Sequence, residues 1–177
     1  MVTTESIHYP MPKAWADYKA IYAILDAARD EKIYQILMNS SQEFSCLYNG
    51  KIPIELARAA PYIIKIPTDS PLLDSIYQQA MYNSWGIFIT CFATSGELRR
   101  HFQQFLKVKT EDGRRLYFRF YDPRVLRVYL PTCTKEELRT FFGPVHSIWI
   151  EDETPGKMSE FVKDGDRFFR RAVEFKM

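Results

Sequence analysis

The sequence predicts an α/β fold: a mixed sheet with an antiparallel hairpin, flanked by helices and followed by a small C-terminal lobe. Three observations predict it. Short apolar runs (YAILDAA, YIIKI, WGIFITCFA) alternate with segments whose apolar residues recur at helical spacing. TSGE and TKEE each place a threonine three residues before a glutamate, the signature of a reciprocally capped helix start. KVKTEDGRRLYFRFY sets turn residues between two strand-like stretches.

In chain order, YAILDAA (22–28) is a buried strand, and RDEKIYQILMNS places Ile33, Ile36 and Leu37 on one helical face. Asn49-Gly50 marks a turn. IPIELARAA is a short helix stopped by Pro61, and YIIKI (62–66) is a second strand. Ser70 caps the next helix with Pro71 in its first turn, where a missing N–H costs nothing. Leu72, Leu73, Ile76, Tyr77 and Ala80 form that helix's apolar stripe. WGIFITCFA (85–93) is the strongest strand; Thr94 opens a helix through ELRRHFQQFL, and a hairpin over 107–121 folds at Glu111-Asp112-Gly113. Thr134 opens another helix that Gly143-Pro144 ends, and VHSIWIED (145–152) is a strand followed by a turn at ETPGK. The final segments either side of Asp164-Gly165 fit a hairpin, or a strand and a helix. The expected organisation is an N-terminal extension over 1–20, a main α/β domain over 20–130, and a smaller lobe or tail over 131–177.

With 177 residues, 46% hydrophobic and 26% charged, the chain has the composition of one globular domain. A net charge of +2 lies far from that of a strongly basic nucleic-acid binder. Between Arg99 and Arg127, however, seven arginines and two lysines face three acidic residues. Such a patch either attracts an acidic partner, phosphate or lipid headgroups, or consists of solvated helix and hairpin faces. Cys46, Cys91 and Cys133 are odd in number, widely spaced and without a C-x-x-C pair. No disulfide framework or metal site is expected, and the cytoplasm is the expected compartment. The start lacks a basic segment followed by an apolar run, and no apolar stretch approaches the roughly 20 residues of a membrane span.

The stretch LYFRFYDPRVLRVYLP (116–131) sets an Arg-x-x-Asp-Pro-Arg cluster among aliphatic and aromatic residues. On a strand, Leu116, Phe118 and Phe120 face one side and Tyr117, Arg119 and Tyr121 the other. Asp122 then caps a helix with Pro123 at its first position, and pairs with Arg119 or Arg124. Val125, Leu126, Tyr129 and Leu130 make the helix's apolar stripe, with Arg124 and Arg127 turned away. This reads first as a structural cap and ion pair over Arg119, Asp122 and Pro123.

No reacting group stands out. A Cys91–His101–Asp122 triad can be written down, but Cys91 sits within IFITCFA as a core thiol, and such thiols are inert. His101 reads as a helix-surface residue, His146 as one satisfied by a backbone carbonyl, and His8 as part of a flexible start. There is no H-E-x-x-H, no clustered His/Cys spacing and no Gly-rich phosphate loop, so no catalysis and no cofactor are expected. Arg119, Tyr121, Arg124 and Arg127, with Trp149 as an apolar anchor, are the candidate partner contacts, since aromatic and arginine side chains anchor interfaces.

YFRFYDPRVL, with YAILDAARD, PYIIKI, WGIFI, LRRHFQQFLKV and FFGPVHSIWIED in that order, resembles the bacterial family carrying domain of unknown function 4123, over roughly residues 20–152. The resemblance implies an adaptor, or effector chaperone, of type VI secretion that binds a toxic effector and helps load it onto the VgrG spike. Residues 153–177 lie outside it, and partner choice would be set there. The alternative is a module binding single-stranded nucleic acid or other phosphates through the basic and aromatic 99–127 region.

Overall fold

The computed structural model describes residues 8–174. Seven strands form one sheet. They are β1 (Ala20–Asp26), β2 (Phe44–Cys46), β3 (Pro61–Pro67), β4 (Gly86–Cys91), β7 (Val145–Glu151), β8 (Lys157–Asp164) and β9 (Arg167–Glu174). Their spatial order is β2-β3-β1-β4-β7-β8-β9. A separate two-stranded hairpin pairs β5 (Lys107–Lys109) with β6 (Arg115–Tyr117).

The chain is α/β with flanking helices, but every strand pairing is antiparallel rather than mixed. The reason lies in the two covered faces. Ile21, Ala23 and Leu25 of β1 point into one core while Tyr22 and Ile24 point into another. Strands apolar on both faces are the usual mark of a parallel sheet. Here helices cover both sides of an antiparallel one.

On the first face lie α1 (Glu31–Asn39), α3 (Pro71–Ala80) and a short 3-10 turn, Lys13–Asp17. On the second lie α4 (Ser95–Gln103), α5 (Pro123–Tyr129) and α6 (Lys135–Phe142). The four-residue α2 (Ile54–Ala57) buries no side chain. Ser70 caps α3 through Leu72 N–H, and both threonine–glutamate boxes close reciprocally at Thr94 and Thr134.

Residues 145–174, expected in a smaller lobe, extend the main sheet: β7 pairs with β4, and β8 and β9 follow as a hairpin. The two-residue turn at Gly165 (φ 59°) selects the hairpin over a strand and a helix. The segment expected as an N-terminal extension also contributes to the core. Trp15 is buried among Tyr77, Phe88 and Trp149, at ring separations of 5.5, 5.1 and 6.0 Å. Gly86 begins β4 where the backbones touch: a Cβ there would lie 2.0 Å from the Ile24 carbonyl oxygen.

Candidate functional site at the Arg119–Arg124 bend

Strand β6 stops at Tyr117, leaving Leu116 half exposed rather than in the core. Beyond it the chain turns inward, with Asp122 N–H donating to Arg119 O at 3.0 Å. The expected face alternation therefore fails after Tyr117. Phe120 is fully buried, stacked on Phe102 at 5.3 Å, and Tyr121 is buried beside it. Burial pushes the Tyr121 phenol well up, and the neighbouring Tyr48 phenol adds to the shift.

Asp122 caps α5. Its Oδ1 accepts from Arg124 N–H and Arg124 Nε, each at 3.0 Å, and Oδ2 accepts from Arg124 Nη2 at 2.6 Å. Arg119 Nη2 lies 3.8 Å from Asp122 Oδ2 and pairs directly with Oδ2 of Asp26, the last residue of β1. Asp26 Oδ1 accepts from Ala28 N–H at 3.1 Å. Both carboxylate side chains are 2% exposed, and all four of their oxygens are engaged. The guanidinium groups sit above them, 43% exposed for Arg119 and 49% for Arg124. Burial alone would raise the Asp122 carboxyl. The hydrogen bonds from Arg124 and the two guanidinium charges outweigh it and hold the group below its ordinary value.

Farther along α5, Arg127 Nη1 donates to Glu151 O at 2.8 Å and Nη2 lies 3.3 Å from Glu153 Oε1. Glu151 Oε1 accepts from Ser84 Oγ at 2.8 Å, and Asp26 N–H donates to Trp85 O at 2.7 Å. Through Arg119 and Arg127 the bend and its helix thus tie together the ends of β1 and β7, on either side of the start of β4. The arrangement is a brace.

Of the candidate contacts, Arg119 and Arg124 reach solvent. Tyr121 and Trp149 do not: both are buried in the core, which corrects their reading as anchors on the surface. Arg127 is largely covered, with 13% of its side chain exposed, and is held by β7 rather than turned freely outward. Pro123 is buried in the first turn of α5. The outer face of α5 instead presents Arg124, Val125 and Val128. The contribution of Asp26 was not readable from the sequence, where it only ends an apolar run; its partner lies 93 residues away.

The three residues of the conceivable triad have other partners. Cys91 is buried and burial raises its thiol, with Ala93 O its hydrogen-bond acceptor at 4.0 Å. His101 is half-buried rather than on the helix surface, and its Nε2 donates to Phe141 O at 2.7 Å. Burial lowers its pKa more than this bond raises it. His146 is exposed and bonded to the Tyr18 hydroxyl instead of a carbonyl, and His8 is exposed. Among the described residues no group of three or more His, Cys, Asp or Glu side chains is placed to hold a metal ion, and no helix is long and apolar enough to cross a membrane. Of the rings available for base stacking, Phe120 is buried and Phe118 packs on Tyr129 at 4.7 Å, whereas Tyr117 is exposed.

The family model described as Domain of unknown function (DUF4123) matches residues 21–140, from β1 to α6. The chain belongs to that family. No curated protein and no solved structure matches it. The DUF4123 match contains Asp26, Arg119, Asp122 and Arg124 and stops before β7. Glu151 and Glu153, the partners of Arg127, therefore lie outside the matched segment.

Proposed function

We propose that this chain is a non-catalytic adaptor of type VI secretion, which binds an effector, stabilises it and helps load it onto the VgrG spike in the cytoplasm. The observation that carries the reading is how the bend divides its groups. Its carboxylates are saturated by Arg119 and Arg124, leaving no free base or nucleophile beside them, while α5 turns Arg124, Val125 and Val128 to solvent. An exposed arginine beside apolar surface suits an interface, where arginine is an enriched anchor and the valines add apolar area. Membership of the DUF4123 family, and the adaptor role that the resemblance to its members implies, supply the identity of the partners.

The mechanism is linkage. A partner that binds only the folded effector stabilises it by mass action, and needs no covalent step. The test is co-expression with the product of the neighbouring effector gene and with the spike protein. A stable complex that keeps the effector soluble is the expected result. An effector that stays soluble and spike-bound without this chain contradicts the reading.

A further inference from the structure

Both strands of the β5–β6 hairpin, like α2, bury no side chain in the chain's own core. A two-stranded hairpin of this size is marginal by itself in water, and this one carries Leu116 at 50% and Tyr117 at 64% exposure. Between the hairpin and α2 lies a cleft of about 400 Å³. Leu47 and Leu106 form its buried floor, Ile52 and Leu56 one wall, Lys107 and Tyr117 the other.

The register decides which hairpin face looks into the cleft. Lys107 stands opposite Tyr117 and Lys109 opposite Arg115, so these four share a face; Val108 and Leu116 share the other. The cleft-side face is therefore basic, and the Lys107 ammonium lies 5.5 Å from the Tyr117 ring centre. Among the described residues Arg114 pairs with Asp112, whereas Lys107, Lys109 and Arg115 have no carboxylate partner. An apolar floor walled by Lys107, with Lys109 and Arg115 farther along the same hairpin face, sets the chemistry of what fits.

We propose that this cleft is a docking groove for an acidic segment of a partner protein. One large apolar side chain of that segment inserts between Leu56 and Tyr117, and flanking carboxylates lie on Lys107, Lys109 and Arg115. A nucleic acid would supply the negative charge but no aliphatic anchor for the floor. A membrane surface would need the apolar groups to protrude rather than to line a recess. The inference rests on the adaptor reading only in taking the occupant to be a protein.

The test uses the full chain and three fluorescein-labelled peptides: glutamates around a central tryptophan, the same peptide with lysines for glutamates, and the same with glycine for tryptophan. The acidic tryptophan peptide should bind saturably, and each of the other two about tenfold or more weakly, as loss of a single anchor typically produces. Its binding should weaken at high salt. Tyr117→Ser and the double variant Lys107→Glu with Arg115→Glu should each lower its affinity about tenfold. Val108→Ser, on the opposite hairpin face, should leave it within about twofold and controls for hairpin folding. Equal binding of the lysine peptide overturns the proposal, as does tighter binding of single-stranded DNA or anionic vesicles. Self-association that is lost in Tyr117→Ser overturns it too, in favour of a second copy of this chain. In the co-expression experiment, an effector complex unaffected by Tyr117→Ser removes the groove and leaves the adaptor reading standing. Absence of any complex with the wild-type chain removes the adaptor reading, while the peptide titration still judges the groove.

Discussion

Asp122 is the residue on which the bend turns, because one buried carboxylate serves as helix cap and as counter-ion to two arginines. Loss of a cap costs about 1 kcal/mol, and breaking a fully buried pair about 3–5. The carboxylate is buried while its guanidinium partners are about half exposed, so solvent screening discounts the larger figure. Asp122→Ala should therefore destabilise by about 2–3 kcal/mol in urea unfolding at neutral pH. The pH dependence has a defined sign. A carboxyl held lower in the folded than in the unfolded chain contributes stability above its unfolded value, about 3.9, and loses it as pH falls through the folded value. The gap between wild type and Asp122→Asn should close below about pH 4. Glu160 behaves oppositely. Burial raises its carboxyl and Arg171, at 3.7 Å, only partly offsets this, so ionising it costs the folded state. Glu160→Gln should raise the melting temperature at neutral pH, and the gain should vanish below about pH 4, where the unfolded chain's carboxyl is protonated too.

At the scale of elements, Gly86 gives the sharpest test. A methyl group there would press into the Ile24 carbonyl, 2.0 Å away and part of the sheet backbone, so it has nowhere to move. Gly86→Ala should abolish the folded state, seen as loss of the cooperative thermal transition; a melting temperature near that of wild type would show that β1 and β4 tolerate separation. This constraint was hidden in the sequence, where Gly86 is simply the residue after a tryptophan. The caps at Ser70, Thr94, Asp122 and Thr134 were legible because each bond spans two or three residues. β1, β3, β4 and β7 were legible from apolar runs to within two residues at their ends, whereas β2 and the end of β6 were not. The direction of pairing was hidden too, since burial on both faces erases the alternation that marks an antiparallel sheet. The site was readable in proportion to its locality. Asp122 with Arg124 could be inferred, Asp26 with Arg119 could not. Tyr121 and Trp149 looked like anchors only because the sequence does not say which face a core presents.

For the molecule as a whole, the two cores make the segment before β1 and the hairpin after β7 integral to one sheet structure. Trp15 is where the early segment enters: it touches rings from α3, β4 and β7. Trp15→Ala should cost about 3–5 kcal/mol, the usual range for a buried aromatic, measured by urea unfolding; a loss of a few tenths would mean that the segment is only appended. The chain keeps its polar brace inside this scaffold and, Met11, Met38 and Phe92 apart, its exposed large apolar groups on α5, α2 and the β5–β6 hairpin, where the proposed adaptor would hold its partner. The most direct measurement is effector capture per folded molecule by wild type and Asp122→Ala, with unfolding followed on the same samples. A lower melting temperature with unchanged capture by the fraction that remains folded is the expected result. An unchanged melting temperature with capture abolished would make Asp122 a contact residue and contradict its role as a brace.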